Sequence, residues 1–172
     1  SMARVNTVEK LVVASQTTQN AHSIDIDSDG FLSSIRTIDL SADSHESTTG
    51  NVDLTGVGAA VKVVGAKTNT LIGGSAIDTL TGGAGVDKIT GAGGADVLDG
   101  GDGNDIFIYA ASSDFVTGTA VVDTVTGGAG DADTIQIAGA ISIASNQSMA
   151  RVNTVEKLVV ASQTTQNAHS ID

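Results

Sequence analysis

Twenty acidic residues against eight basic ones leave this 172-residue chain with a formal charge of −12, which repels nucleic-acid phosphates and anionic lipid surfaces and favours cations as partners. Without a single cysteine the chain has no disulfide framework or thiolate metal site, and three histidines are a poor basis for a zinc centre. With 40% apolar residues but three Phe, one Tyr and no Trp, any core is thin and built from small branched side chains, which suits stacked strands better than a helical bundle.

Residues 1–25, SMARVNTVEKLVVASQTTQNAHSID, return unchanged at 148–172, so the chain is one period of 147 residues followed by the opening of the next. A natural tandem array produces this pattern, and so does an engineered duplication. The Ser1-Met2 pair resembles a cloning scar but reappears inside the chain at Ser148-Met149, which favours the array. No segment approaches the roughly 18 apolar residues of a membrane span, so direct membrane insertion is not expected.

From the N-terminus, LVV at 11, IDI at 24, IDL at 38, VDL at 52 and VKV at 61 are short alternating strands bounded by polar turn residues. They read as looser β-solenoid rungs over 1–65, with a meandering sandwich as the alternative. Within them Asp25, Asp27, Asp29 and Gly30 spell the opening of an EF-hand loop, but Arg36 stands where the twelfth-position carboxylate belongs. A strand ending in a turn is the simpler reading, and a partial second calcium site the other.

Next comes a strict nine-residue period: GGSAIDTLT from Gly73, GGAGVDKIT from Gly82, GAGGADVLD from Gly91 and GGDGNDIFI from Gly100. Its sixth position is Asp78, Asp87, Asp96 and Asp105, and its eighth is Leu80, Ile89, Leu98 and Phe107. The phase extends back to Asn69 with Leu71 and forward to Asp114 with Val116 and Asp123 with Val125, before a one-residue insertion in GGAGDADTIQI from Gly127. These boundaries give a roll over 66–126, closing strands over 127–147, and the start of the next repeat over 148–172. The one helix-like stretch, around Met149 to Val155, amounts to a short turn at most.

Six turn residues and a three-residue strand make each nonapeptide half of an 18-residue coil, so Asp78 lies over Asp96 on one edge and Asp87 over Asp105 on the other. Parallel strands stack at about 4.8 Å. Two carboxylates held about 5 Å apart repel by about 3 kcal/mol at an effective dielectric near 20, and a cation between them reverses the sign. Calcium suits such a site because it accepts six to eight mixed carboxylate and carbonyl oxygens in tolerant geometry, whereas magnesium demands a regular octahedron.

The four copies resemble GGxGxDxUx, the calcium-binding repeat of RTX (repeats-in-toxin) proteins. The resemblance implies an all-β, right-handed parallel β-roll solenoid whose turns bind several calcium ions. It implies ligation by the pairs Asp78/Asp96 and Asp87/Asp105, with Asp99, Asp102, Asp114, Asp123, Asp131 and Asp133 as further candidates. Turn groups of Gly73, Gly82, Gly83, Gly85, Gly91, Gly93, Gly100, Gly101, Gly103 and Asn104 would complete the shells. Ser75-Ala76 and Ala92 depart from the glycine pattern, which predicts weaker binding in the turns that begin at 73 and 91. By the same comparison Tyr109 to Thr117 reads as a capping excursion, even though it keeps the nine-residue phase.

His22, His45 and His169 show no spacing that favours a nucleophilic triad, so no enzyme is expected. The resemblance and the 147-residue identity together imply a repeat module of a bacterial surface protein, such as an S-layer, giant adhesin or extracellular filament. Such a protein is exported unfolded through a type I channel, and its partners are neighbouring copies placed head to tail. The alternatives are the calcium-folding tail of a secreted enzyme or toxin, and a module that binds a cell-surface glycan or ice.

Overall fold

The computed structural model describes residues 10–12, 22–25, 35–42, 49–65, 67–117, 120–139 and 149–160. Its strands begin with β1 (Lys10–Val12), β2 (His22–Asp25), β3 (Thr37–Asp39), β4 (Thr49–Asp53) and β5 (Lys62–Val64). The nonapeptide region contributes β6 (Thr68–Ile72), β7 (Thr79–Ala84), β8 (Lys88–Thr90), β9 (Val97–Asp102) and β10 (Ile106–Tyr109). A one-turn helix, α1 (Ser112–Phe115), and two short strands, β11 (Val116–Thr117) and β12 (Ala120–Val121), follow. The chain then returns to β13 (Thr124–Ala129), β14 (Thr134–Ile137), β15 (Val152–Asn153) and β16 (Lys157–Val160).

The strands alternate between two seven-stranded sheets. The first runs β1-β3-β5-β7-β9-β13-β15 and the second β2-β4-β6-β8-β10-β14-β16, with every neighbouring pair parallel. This is a parallel β-roll. Within a strand only every second residue can face the other sheet, and those positions carry the aliphatic groups. In the first sheet Leu11, Ile38, Val63, Leu80, Leu98, Val125 and Val152 lie in one register row. In the second the row is Ile24, Val52, Leu71, Ile89, Phe107, Ile135 and Leu158. The central members of both rows are fully buried, and these two stacks are the core.

The described strands before residue 65 belong to the same two sheets as the nonapeptides, so they are further rungs of the roll and not a separate sandwich. Two stretches depart from the regular coil. The segment carrying Asp114 and Val116 keeps the nine-residue phase but not the fold: it leaves the sheets as α1 and the antiparallel pair β11–β12. It can do so because Phe115 finds its own buried seat against Tyr109, ring centroids 5.0 Å apart and edge-on. The helix-like stretch near Met149 is a turn leading into β15, because Val152 pairs with Val125.

The 147-residue identity has an unexpected structural outcome. Lys10–Val12 sits in the first sheet, but its copy, the first three residues of Lys157–Val160, sits in the second. In both places the leucine faces the core, Leu11 beside Ile38 and Leu158 beside Ile135.

Phe107 is the largest side chain in the two stacked rows. Phe107→Ala is expected to cost about 3–5 kcal/mol, the usual loss for a buried aromatic ring, whereas Val97→Thr on the exposed face of β9 should cost far less. Chemical denaturation of both variants in saturating calcium checks this.

A candidate calcium-binding edge at the bends of the roll

Each coil bends twice, and each kind of bend carries its own ladder of polar side chains. On the forward edge, where the chain passes from the first sheet to the second, the ladder is Asn69, Asp87, Asp105, Asp133 and Glu156. The backbone N–H of Asn69 donates to Asp87 Oδ1 (2.5 Å), that of Asp87 to Asp105 Oδ1 (2.8 Å), that of Asp105 to Asp133 Oδ1 (2.7 Å), and that of Asp133 to Glu156 Oε2 (2.8 Å). On the return edge the N–H groups of Val61, Asp78 and Asp96 donate to Asp78, Asp96 and Asp123 Oδ1, each at 2.8 Å. Each carboxylate is therefore clamped by one oxygen to the coil before it.

The second oxygens separate the two edges. On the return edge Asp78 Oδ2 accepts the N–H of Gly74 (2.8 Å) and Asp123 Oδ2 accepts the hydroxyl of Tyr109 (3.0 Å), leaving Asp96 Oδ2 as the buried atom without a partner. On the forward edge Asp87, Asp105 and Asp133 all bury an Oδ2 that has no partner. An unpaired buried acceptor costs roughly 1–3 kcal/mol, and more when it is charged. Three such atoms stacked on the forward edge, with a fourth on the return edge, mark places for a cation.

Carbonyls converge on the same places. A methyl group built on Gly82 would collide with both Asp87 Oδ2 and Gly100 O, and one on Gly100 with both Asp105 Oδ2 and Gly127 O. The first glycine of each forward bend thus leaves open the space where a carboxylate of its own coil meets a carbonyl of the next. Gly101 and Gly103 complete the bend at φ of 98° and 123°, a region that residues with a side chain rarely adopt. Among the described residues no three His, Cys, Asp or Glu side chains converge on one point, so a cation here must take carbonyl oxygens along with its carboxylates. An all-oxygen mixed shell suits calcium.

Burial also changes the acids themselves. Desolvation pushes the Asp87 and Asp96 carboxyls up to about 7 and Asp105 to about 6, overcoming the hydrogen bonds from Asn69, Asp78 and Asp87 that pull the other way. Asp78, Asp123 and Asp133 are raised by the same cause.

The model of the RTX calcium-binding nonapeptide repeat matches in four copies, over residues 65–98, 72–107, 84–116 and 108–131. Residues 65–131 are an RTX repeat region. RTX nonapeptides bind calcium, so the chain is a calcium-binding repeat module, and the unpaired oxygens of the forward edge fit that ion. No curated protein and no solved structure matches the chain.

The RTX roll brings together six of the ten aspartates proposed from the nonapeptide pattern: Asp78, Asp96 and Asp123 on one edge, Asp87, Asp105 and Asp133 on the other. Four lie elsewhere. Asp99 points outward from β9 between Thr81 and Thr126, and Asp102 is exposed at the end of that strand. Asp114 accepts the Ala111 N–H within the α1 excursion, and Asp131 is exposed, its N–H donating to Asn104 Oδ1. Asp99 and Asp114 are carried off the bends by a strand face and by the excursion, while Asp102 and Asp131 stay in forward bends with exposed side chains outside the stacked ladder. Asp27 and Asp29 lie outside the described residues, and of Asp25 only the backbone is described, in β2. Gly73, Gly82, Gly91 and Gly100 are buried at the bends, while Gly85, Gly93 and Asn104 are exposed.

Four residues at the ladder ends were not anticipated as functional. Asn69 Nδ2 donates to Gly82 O (2.7 Å) and Asp87 Oδ1 (2.8 Å), so its amide supplies the positive dipole that a cation supplies further along. Tyr109 does the same for Asp123 with its hydroxyl. Thr154 and Glu156 extend the forward edge beyond the nonapeptides. Asn69 could have been found from its sixth-position phase, and Glu156 from the spacing Glu156-Lys157-Leu158, which matches Asp133-Thr134-Ile135.

Two outcomes follow. A carboxyl whose pKa is raised on folding holds more protons in the folded chain, so metal-free stability is greatest near the unfolded value of about 4. It is lost as pH rises toward 7. Chelated protein titrated from pH 8 to about pH 4.5 should therefore gain β-structure by circular dichroism, while calcium affinity should fall over the same window as protons compete. Separately, Gly100→Ala should weaken calcium binding by about 10–100-fold, the usual effect of disturbing the support of a metal ligand. Isothermal calorimetry measures this directly.

Proposed function

We propose that this RTX module is a structural repeat of a secreted bacterial surface protein, such as an S-layer, adhesin or extracellular filament, which folds on meeting calcium and runs head to tail into further copies of itself. The observation that carries the reading is the pairing across the 147-residue boundary. β13 pairs with β15 and β14 with β16, both parallel and with inward residues in line, so the opening of the second copy is stacked on the end of the first. Such a joint suits a stiff, extendable rod with no catalytic role of its own.

Export and calcium fit together physically. At the low calcium of a cytoplasm the clamped aspartates repel and resist burial, which favours an unfolded chain that can thread a type I channel. Outside, the binding free energy of calcium adds directly to the free energy of folding. The reading as the calcium-folding tail of a secreted enzyme or toxin shares the RTX match, and a catalytic domain in the same polypeptide would favour it.

Calcium titration of the chelated chain from 0 to about 10 mM, the range of weak extracellular sites, should produce a cooperative rise in β-signal. Light scattering at high protein concentration should show growth of assemblies in calcium alone. A chain whose spectrum ignores calcium refutes the folding claim; one that folds but stays monomeric refutes the assembly claim.

A further inference from the structure

We propose a calcium site at the joint between consecutive 147-residue copies, formed by Asp133 of one copy together with the Thr154 carbonyl and Glu156 carboxylate that open the next; it rests on the reading that the RTX bends bind calcium. Neither copy holds the whole site.

The joint reproduces two contacts of the earlier steps of the forward edge, although its bend is shorter. Asp105 and Asp133 each donate a backbone N–H to the following acidic side chain, at 2.7 and 2.8 Å, but the second acceptor is Glu156, nine residues into the new copy. The carbonyl facing Gly82 is that of Gly100, and the one facing Gly100 is that of Gly127. The carbonyl facing Gly127 is that of Thr154, beside Asp133 Oδ2. Thr154 stands level with Gly127 and Gly100 but has φ of 48°, a left-handed conformation that the earlier bends adopt one residue later, at Gly83, Gly101 and Gly128. Its own hydroxyl accepts the Gly128 N–H (2.9 Å), and the Glu156 and Lys157 N–H groups both donate to Asp133 O (3.1 and 3.0 Å), which fixes the bend.

The second observation is the state of Asp133. It is fully buried, at 0% exposure, and its Oδ2 has no partner although Oδ1 is satisfied. At the end of the other edge the fold supplies a neutral donor to the second oxygen, the Tyr109 hydroxyl on Asp123 Oδ2, whereas at the start of this edge the Asn69 amide reaches only Asp87 Oδ1. No such donor reaches Asp133 Oδ2. Two carboxylates and a carbonyl suit an oxygen-loving divalent cation. Glu156 is exposed on its outer side, which leaves room for water to complete the shell.

The test counts ions on the full chain by native mass spectrometry and calorimetry with calcium chloride. Glu156→Gln keeps an acceptor for the Asp133 N–H but removes the charge, and it should bind one calcium fewer with the β-signal intact. The same change in the first copy, Glu9→Gln, has no Asp133 ahead of it in this chain and should leave the count unchanged. Glu156→Lys, which carries its own cation to the place, should lose the same ion and keeps the test decisive if the glutamine variant folds poorly. An unaltered count in both Glu156 variants overturns the joint site, as does an equal loss in Glu9→Gln. Parent protein that binds no calcium at all instead overturns the reading of the bends on which it depends.

Discussion

Six aspartates are buried at the bends of the roll, each clamped by one oxygen to a backbone N–H and stacked along an edge at the spacing of a β-sheet. Their sequence neighbours cannot avoid this, because the register that turns Leu80, Ile89, Leu98 and Phe107 inward also brings the aspartate two residues earlier into the bend. Hydrophobic stacking and carboxylate burial are thus two outcomes of one period. The first favours folding at any metal concentration, and the second opposes it unless the charge is met. This conflict makes the fold conditional on its surroundings.

The two edges resolve the conflict differently. On the return edge Gly74 and Tyr109 donate to the oxygens at either end, so most of the polar demand is met within the protein. On the forward edge the acceptors stay open over three successive coils. The turns at 73 and 91, where Ala76 and Ala92 replace a glycine of the motif, belong to the return edge, and those at 82 and 100, whose Gly82-Gly83 and Gly100-Gly101 pairs are followed by Gly85 and Gly103, to the forward one. The second glycine of those pairs, at positive φ, lets the carbonyls of adjacent coils align, whereas Ala92 reaches φ of 67° at some cost in strain. Edge chemistry and turn chemistry therefore vary together.

Much of this was legible in the residues. The nonapeptide period identified the coil, the edge on which each of Asp78, Asp87, Asp96 and Asp105 falls, and the inward row, because a strict period leaves one way to stack. Upstream the spacing wanders between strands, yet alternation still located β1 to β5 to within three residues. Phase counting failed at Asp114, where a segment of matching length was free to leave the sheets once Phe115 could bury itself against Tyr109. Side-chain donors that replace a cation were also illegible: Asn69 differs from an aspartate by one amide, and its role depends on the carbonyl of Gly82 being within reach.

The exchange of sheets between Lys10–Val12 and its identical copy has a consequence for any longer array. A shift of one period moves a residue from one face of the roll to the other, which is the action of a two-fold screw axis along the rod. Each copy would advance the rod by six and a half strand spacings, about 31 Å at about 4.8 Å each, while turning it over. The α1 excursion, which leaves the return edge, would then emerge alternately from opposite sides, and true translational identity would recur only every second copy. A filament with that symmetry has two equivalent flanks, so it can grow sideways into a flat sheet without choosing a top or a bottom.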